Sequence, residues 1–420
     1  MAEFIIHRGT HQIGGMCAEI RTKKSRIIID MGAELPSDDE EANYRSDEAL
    51  VSKVFSVSRK PYAVLFTHYH GDHIGLMERI PDDIPMYMGK VAIQLAMNVA
   101  ARTDKLLSGN MTAVLDRVIP YPVGRPFAIN DIKVTPFQIG HSALDSYMLL
   151  IEADGKRLLY TGDFRDHGIM CSQQTFRKVV EMYIGKVDVL VTEGTMLSRS
   201  AKTPMSEYEL YERAKRVFSS NKYNFVLVSS MNLDSIMSFI HAAPDDKEFV
   251  CDKYQLSQIL TASHAFGTRH GGRYKMYNVP RFLTNSDGAD FGNKTDELRK
   301  KGFVMLVRTS DKFKDIIERF DRSESCFIYS MWEGYLERDK PYTNQRLIDM
   351  MSGYKVEKLH TSGHAGVECI RELIAMTDPA VIIPMHSEKT DEMSEFEEFI
   401  QYNSRFRPLA DGQIFDIDSI

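Results

Sequence analysis

Residues 67–75 read THYHGDHIG and put His68, His70, Asp72 and His73 close together, directly after the apolar run Ala63-Val64-Leu65-Phe66. Imidazole and carboxylate are the ligands that Zn²⁺ and related ions take, and a neutral histidine binds with no change of charge. Strand alternation would send His68, His70 and Asp72 to one side, and a tight turn at Gly71 would bring His73 round to them. The plain alternative is a histidine-rich turn that binds nothing. In a chain with 13 His among 420 residues, so dense a cluster favours the metal.

One such cluster cannot complete two metal shells, so other segments must contribute. Three candidates each follow an apolar, strand-like run: His141 after residues 134–140, Asp163 after 157–162, and His386 after 381–385. Ligands at strand ends, on the loops of a rigid sheet, are where a hydrolase site is built. Singly, each is an ordinary turn or cap residue; together and in this order they form a set.

The series HxHxDH, a later His, an Asp in TGDF and a last His resembles the metallo-β-lactamase superfamily. That resemblance implies two divalent metal ions, Zn first and Mn second. His68, His70 and His141 would hold one ion, and Asp72, His73 and His386 the other, with Asp163 bridging. His73 fits the dinuclear members, which include glyoxalase II, lactonases, flavodiiron proteins and nucleases. Three further stretches resemble the extra motifs of the β-CASP nucleases: VTEGT with Glu193, HTSGHAG with His364, and PMHSE with His386. Ribonuclease J is the most similar group. The departures are TEGT in place of that group's Asp-Ser-Thr, the stretch SMWEGY at 330–335, and an end at Ile420, before its C-terminal domain.

The resemblance implies a metal-dependent phosphodiesterase, a ribonuclease acting on single-stranded RNA as an endonuclease or a 5′-exonuclease, with DNA as a second substrate class. The metal pair would activate a water for attack on phosphorus. His364 would touch the scissile phosphate or protonate the leaving group. Glu193 would orient a ligand histidine. Asp72 would be a ligand first, with proton transfer as an added role. A phosphate site is expected at Ser229, Ser230 and Asn232, where the run 225–228 meets a helix start, with Ser362 and His364 of the later turn completing it; plain helix capping is the competing reading there. A small-molecule hydrolase of the lactonase or glyoxalase II kind would share the metal ligands but not need Glu193, His364 or a large insertion. A silent RNA-binding scaffold is the third reading, disfavoured by an intact ligand set.

Behind these residues lie alternating strands and helices. Strands are expected at 4–7, 16–20 and 26–30, a helix at 90–105, and a hairpin turning at Asp154-Gly155. From about residue 200 helix and strand repeat, which implies a parallel sheet with flanking helices. The fold class expected is α/β: an αββα sandwich over 1–200 and 351–420, with an inserted α/β β-CASP domain over 201–350. The segment 285–294 reads as an exposed loop, and 267–275 as a basic loop able to follow a phosphate backbone.

Composition adds bounds. Hydrophobic content of 43% and charged content of 26% are ordinary globular values. A net charge of −7 argues against a generic nucleic-acid binder, though not against a nuclease with two cations. No apolar run approaches the ~20 residues that span a bilayer, so no membrane partner is expected, and a homodimer is admitted. The N-terminus lacks the features of a signal peptide. The five scattered cysteines form no CxxC pair and suit a reducing cytoplasm.

Overall fold

Period-two alternation in the first two hundred residues builds two sheets whose apolar faces meet. The computed structural model describes residues 2–37, 39–56, 61–107, 109–199, 203–267, 283–284, 289–338, 340 and 342–420. The chain divides into two units, Met1–Pro204 with Gly363–Ile420, and Met205–Ser362.

In the first unit, seven strands run in the order Ile414–Asp416, Glu3–Arg8, Cys17–Arg21, Arg26–Ile29, Ala63–Leu65, Met86–Met88, Ile119–Pro120. The second sheet has six, in the order Val381–Met385, Val189–Glu193, Lys156–Tyr160, Ser146–Ala153, Ile132–Ile139, Phe127–Ile129. Phe4, Ile6, Ile20, Ile27, Ile29 and Leu65 of the first sheet share one core with Leu149, Ile151, Leu158, Tyr160, Val191 and Ile383 of the second. Alternate residues of the second sheet, Leu150, Leu159, Leu190 and Ile382, turn outward onto Phe176 and onto Ile370, Leu373 and Ile374 of the helix Val367–Thr377. The helix Glu40–Phe55 buries Leu50 and Val54, and its Val54 carbonyl accepts from Arg26 Nη1. Helix, sheet, sheet and helix thus form the expected αββα sandwich. Truncating one of these core side chains to Ala would cost about 2–5 kcal/mol.

Direction matters more than count. Lys156–Tyr160, Val189–Glu193 and Val381–Met385 are mutually parallel, with Tyr160 opposite Val191 and Val191 opposite Ile383. Their carboxyl ends therefore lie at one edge, and Asp163, Glu193 and His386 leave the sheet there. In the other sheet, Arg26–Ile29 and Ala63–Leu65 are also parallel, so Asp30 and the THYHGDHIG turn emerge side by side.

The second unit is a fully parallel six-stranded sheet in the order Leu283–Thr284, Glu248–Cys251, Phe303–Val307, Tyr223–Val228, Ser325–Ser330, Lys355–Lys358. Capping boxes start two of its helices, Ser206 with Glu209 and Asp252 with Gln255. Lys355–Lys358 adds an edge strand, which keeps the chain in this unit to Ser362, past the expected boundary at 350. The second half of 285–294 is not a loop but the start of the helix Ala289–Lys301, anchored by the buried Leu298. Of the basic loop 267–275, all but Gly267 lies outside the described residues.

The first unit also buries an ionic cluster. Glu19, 1% exposed, sits 2.8 Å from both His7 Nε2 and Arg26 Nη2. Burial opposes its charge, but His7 and Arg26 outweigh that and lower its pKa from 4.5 to about 2. A carboxylate depressed in the folded state adds stability above its unfolded pKa and loses it as pH falls through the folded one. We expect Glu19→Gln to cost on the order of 3 kcal/mol at pH 7. Thermal melts of the two proteins should converge between pH 4.5 and pH 2; a gap that does not narrow would contradict the assignment.

Candidate metal centre

The histidine cluster is not an extended strand. Ala63–Leu65 ends early, and His70 begins a one-turn helix, Gly71–Ile74, through its carbonyl, which accepts from His73 N at 3.0 Å and Ile74 N at 2.9 Å. Alternation therefore does not align His68, His70 and Asp72; the helical turn swings Asp72 and His73 in beside them. Neighbouring backbone clamps that turn: Met16 N donates to Asp72 O at 2.8 Å, Met31 N to His73 O at 2.8 Å and Ala33 N to Gly71 O at 3.1 Å. Gly32 is needed for the approach, since a Cβ there would lie 1.7 Å from Asp72 O.

The other ligand candidates converge on Asp163, which is 2% exposed. Its Oδ2 lies 3.4 Å from His73 Nε2, 3.8 Å from His141 Nε2, 3.9 Å from His68 Nε2 and 3.7 Å from His364 Nδ1. Its Oδ1 lies 3.6 Å from His386 Nδ1. His386 Nε2 is 3.4 Å from Asp72 Oδ2, and His70 Nδ1 is 3.2 Å from His141 Nε2. Ligand atoms of His68, His70 and His141 form one group within 4.8 Å, and those of Asp72, His73 and His386 another. His68 Nε2, His73 Nε2 and Asp163 Oδ1 are buried with no hydrogen-bond partner. Orphaned donors and acceptors in a buried site are costly unless something is coordinated there. The donor set, imidazole with carboxylate, fits divalent cations.

Four of the five candidate ligand rings are aimed from behind. His73 Nδ1 meets Asp30 Oδ2 at 2.9 Å, His68 Nδ1 meets Thr67 Oγ1 at 3.0 Å, His386 Nδ1 meets Thr195 Oγ1 at 2.8 Å, and His141 Nδ1 meets the Gly363 carbonyl at 2.6 Å. Such partners fix tautomer and basicity. None of the four was anticipated. Asp30 and Thr67 had a visible cue, a polar residue just past an apolar run; Gly363 had none. Asp30 and His386 hold φ of 61° and 50°, a left-handed conformation costing on the order of 1–3 kcal/mol each.

Electrostatics divides the rings. Burial pushes the His70 imidazolium down to about 4 and those of His68 and His141 well below the ordinary value, keeping these rings neutral. Burial also works against a charged His73, but Asp163, Asp30 and Asp72 outweigh it and raise its pKa well above normal. A cation binding here must displace that proton.

Glu193 was expected behind a ligand histidine, but its Oε2 instead sits 2.8 Å from His364 Nδ1, while Oε1 accepts from Phe164 N at 2.9 Å and Ala365 N at 3.4 Å. Burial opposes the His364 charge, yet Glu193 and Asp163 lift its pKa to about 9. The remaining expected residues fall in the second unit. Ser229 Oγ accepts from Met231 N, and Asn232 Oδ1 accepts from Ser235 N as the cap of the helix Leu233–Ala242. Ser230 is 8% exposed, and Ser362 closes the unit.

Comparison with known proteins places the chain in a family. The family model described as a beta-lactamase superfamily domain matches residues 36–251. Ribonuclease J of Mycoplasma pneumoniae is 23% identical over 405 residues, covering 90% of this chain and 67% of that protein. Ribonuclease J of Helicobacter pylori strain B128 is 27% identical over 403 residues, covering 90% and 55%. That of Pyrococcus abyssi is 21% identical over 427 residues, covering 90% and 88%. A solved structure from Enterococcus faecalis V583, described as a protein of unknown function, matches over 99% of both chains with a TM-score of 0.75 at 20% identity, a likeness of fold.

The residue behind His73 yields a test. Asp30→Asn replaces the anion that holds His73 Nδ1–H, and we expect metal affinity to fall by ~10–100-fold. Competition with a chromophoric chelator measures it; unchanged affinity would remove Asp30 from the centre.

Proposed function

Because this chain belongs to the beta-lactamase superfamily, we propose that it is a metal-dependent ribonuclease that cleaves single-stranded RNA. The observation that carries the reading is the Glu193–His364 pair set against Asp163, beside a complete ligand set. A lactonase or glyoxalase II-like hydrolase needs the ligands but has no use for a second, protonated histidine held there.

Two divalent ions fit the donors, one on His68, His70 and His141, the other on Asp72, His73 and His386, with Asp163 shared. When bound, such a pair supplies Lewis acidity, acidifying water and neutralising charge that develops on a phosphoryl group. Zinc is the first candidate and manganese the second. The protein's own share of the chemistry is positioning and proton transfer. Asp72 and Asp163 supply the negative charge that retains the cations. His364 is the general acid: Glu193 holds its Nδ1–H, and the proton given to the leaving oxygen is the one on Nε2. Glu193 is a positioning residue that acts through His364.

Ser229, Ser230, Asn232 and Ser362 remain proposed phosphate contacts, through the amides and hydroxyls at a helix start. DNA as substrate and a homodimer belong to the same proposal. No helix among the described residues is long and apolar enough to cross a membrane. All five cysteines are buried and free, which supports a reducing compartment such as the cytoplasm.

Incubation of metal-replete protein with 5′-labelled single-stranded RNA tests the reading. Ladders mean endonuclease and released mononucleotides mean 5′-exonuclease, whereas turnover of lactones or thioesters alone sinks it. We expect His364→Ala to keep its metals and lose ~10²–10⁴-fold in kcat. Glu193→Gln removes the anion that most raises the His364 pKa, so the basic limb of the pH–rate profile should move to lower pH. A limb that stays in place would free Glu193 from this role.

A further inference from the structure

Three of the ligand histidines are aimed by side chains: His73 by Asp30, His68 by Thr67 and His386 by Thr195. His141 is aimed by the main chain. Its Nδ1 lies 2.6 Å from the carbonyl oxygen of Gly363, far along the sequence. Gly363 is the residue at which the chain re-enters the first unit, and His364 follows it directly.

Residue 363 has to be glycine for want of space. Its φ is not among the left-handed glycines, so the backbone would accept a side chain. A Cβ there, however, would lie 2.4 Å from Ser142 Oγ, 2.9 Å from Ser142 Cβ and 3.2 Å from His141 Cε1. The carbonyl reaches the imidazole only because the peptide lies directly against the Ser142 side chain and the His141 ring. Any displacement of this turn is felt at once by the His141 ring.

We propose that Gly363 is a positioning residue of the metal centre: its carbonyl sets the tautomer and direction of His141, so one turn presets both a metal ligand and the general acid beside it. The inference rests on the reading that His68, His70 and His141 hold an ion. Because one rigid turn carries both functions, occupancy of the first metal position and the placement of His364 are energetically linked, and the linkage is reciprocal.

Cobalt(II) is the probe, since its visible absorption reports ligand geometry. Affinity comes from chelator competition, and folding from circular dichroism melts. Three variants are compared with the parent: Gly363→Ala, Gly363→Ala with Ser142→Gly, and Thr195→Val, which acts on His386 in the other ligand group. We expect Gly363→Ala to weaken the tighter or the weaker of the two cobalt sites by ~10–100-fold and to change its absorption, with Thr195→Val affecting the other site. The double variant removes the two closest collisions and should recover most of the lost affinity and the parent spectrum. Should Gly363→Ala not fold, the double variant decides by itself, and it must fold and bind two ions. Parent-like affinity and absorption in Gly363→Ala would overturn the inference, as would a double variant no better than the single one, while leaving the ribonuclease reading intact. A parent protein that takes up no cobalt would instead bring down the metal reading, and this inference with it.

Discussion

Asp163 is a carboxylate at 2% exposure with the rings of His68, His73, His141, His364 and His386 within 3.9 Å of its oxygens. A charge so placed costs several kcal/mol unless neighbours compensate it. Burial opposes its ionisation, but His386, His73 and His364 outweigh burial and hold its pKa well below normal. That balance draws on His73, His364 and His386 together, and no single loop could deliver all three. The two sheets do so because parallel neighbours end at a common edge, and the rings leave from four separate strand ends and turns, His68 and His73 sharing one. The hydrophobic core between the sheets is thus the frame that makes a buried carboxylate tolerable.

The strained backbone follows from the same demand. Asp30 and His386 adopt left-handed φ at the points where their strands stop. Each then turns its side chain back over the sheet edge, Asp30 to His73 and His386 to Asp72. Local structure pays in conformational energy for directions that a straight strand end cannot give.

Much of this was legible in the sequence because ligand chemistry is concentrated in few residue types. His68, His70, Asp72, His73, His141, Asp163 and His386 could be picked out by type and by the apolar run before them. The sandwich and the parallel sheet followed from periodicity. Gly363 could not be picked out, because its contribution is a carbonyl and its partner lies on the far side of the second unit's sequence. Thr67 and Thr195 looked like ordinary polar residues beside more conspicuous ones. The partner of Glu193 was misassigned for a related reason: a carboxylate at a strand end is visible, but which of several nearby rings it meets depends on distances of an ångström. Likewise the turn at 71–74 is helical because two amides reach the His70 carbonyl, a preference that histidine spacing does not express.

The first unit is discontinuous, and that has a bearing on how the molecule is made. During synthesis the strands up to Val189–Glu193 and six of the seven ligand candidates leave the ribosome before the second unit begins. Val381–Met385 and His386 follow only after it, a delay of roughly 10–40 s at ~5–20 residues per second. Through that interval Val189–Glu193, whose pairing partner is Val381–Met385, is an open edge with an apolar start at Val189-Leu190-Val191, the kind of strand on which nascent chains associate wrongly. The insertion thus gives the newborn protein a period with six of its seven candidate ligands already made and one sheet edge unpaired until Val381–Met385 arrives.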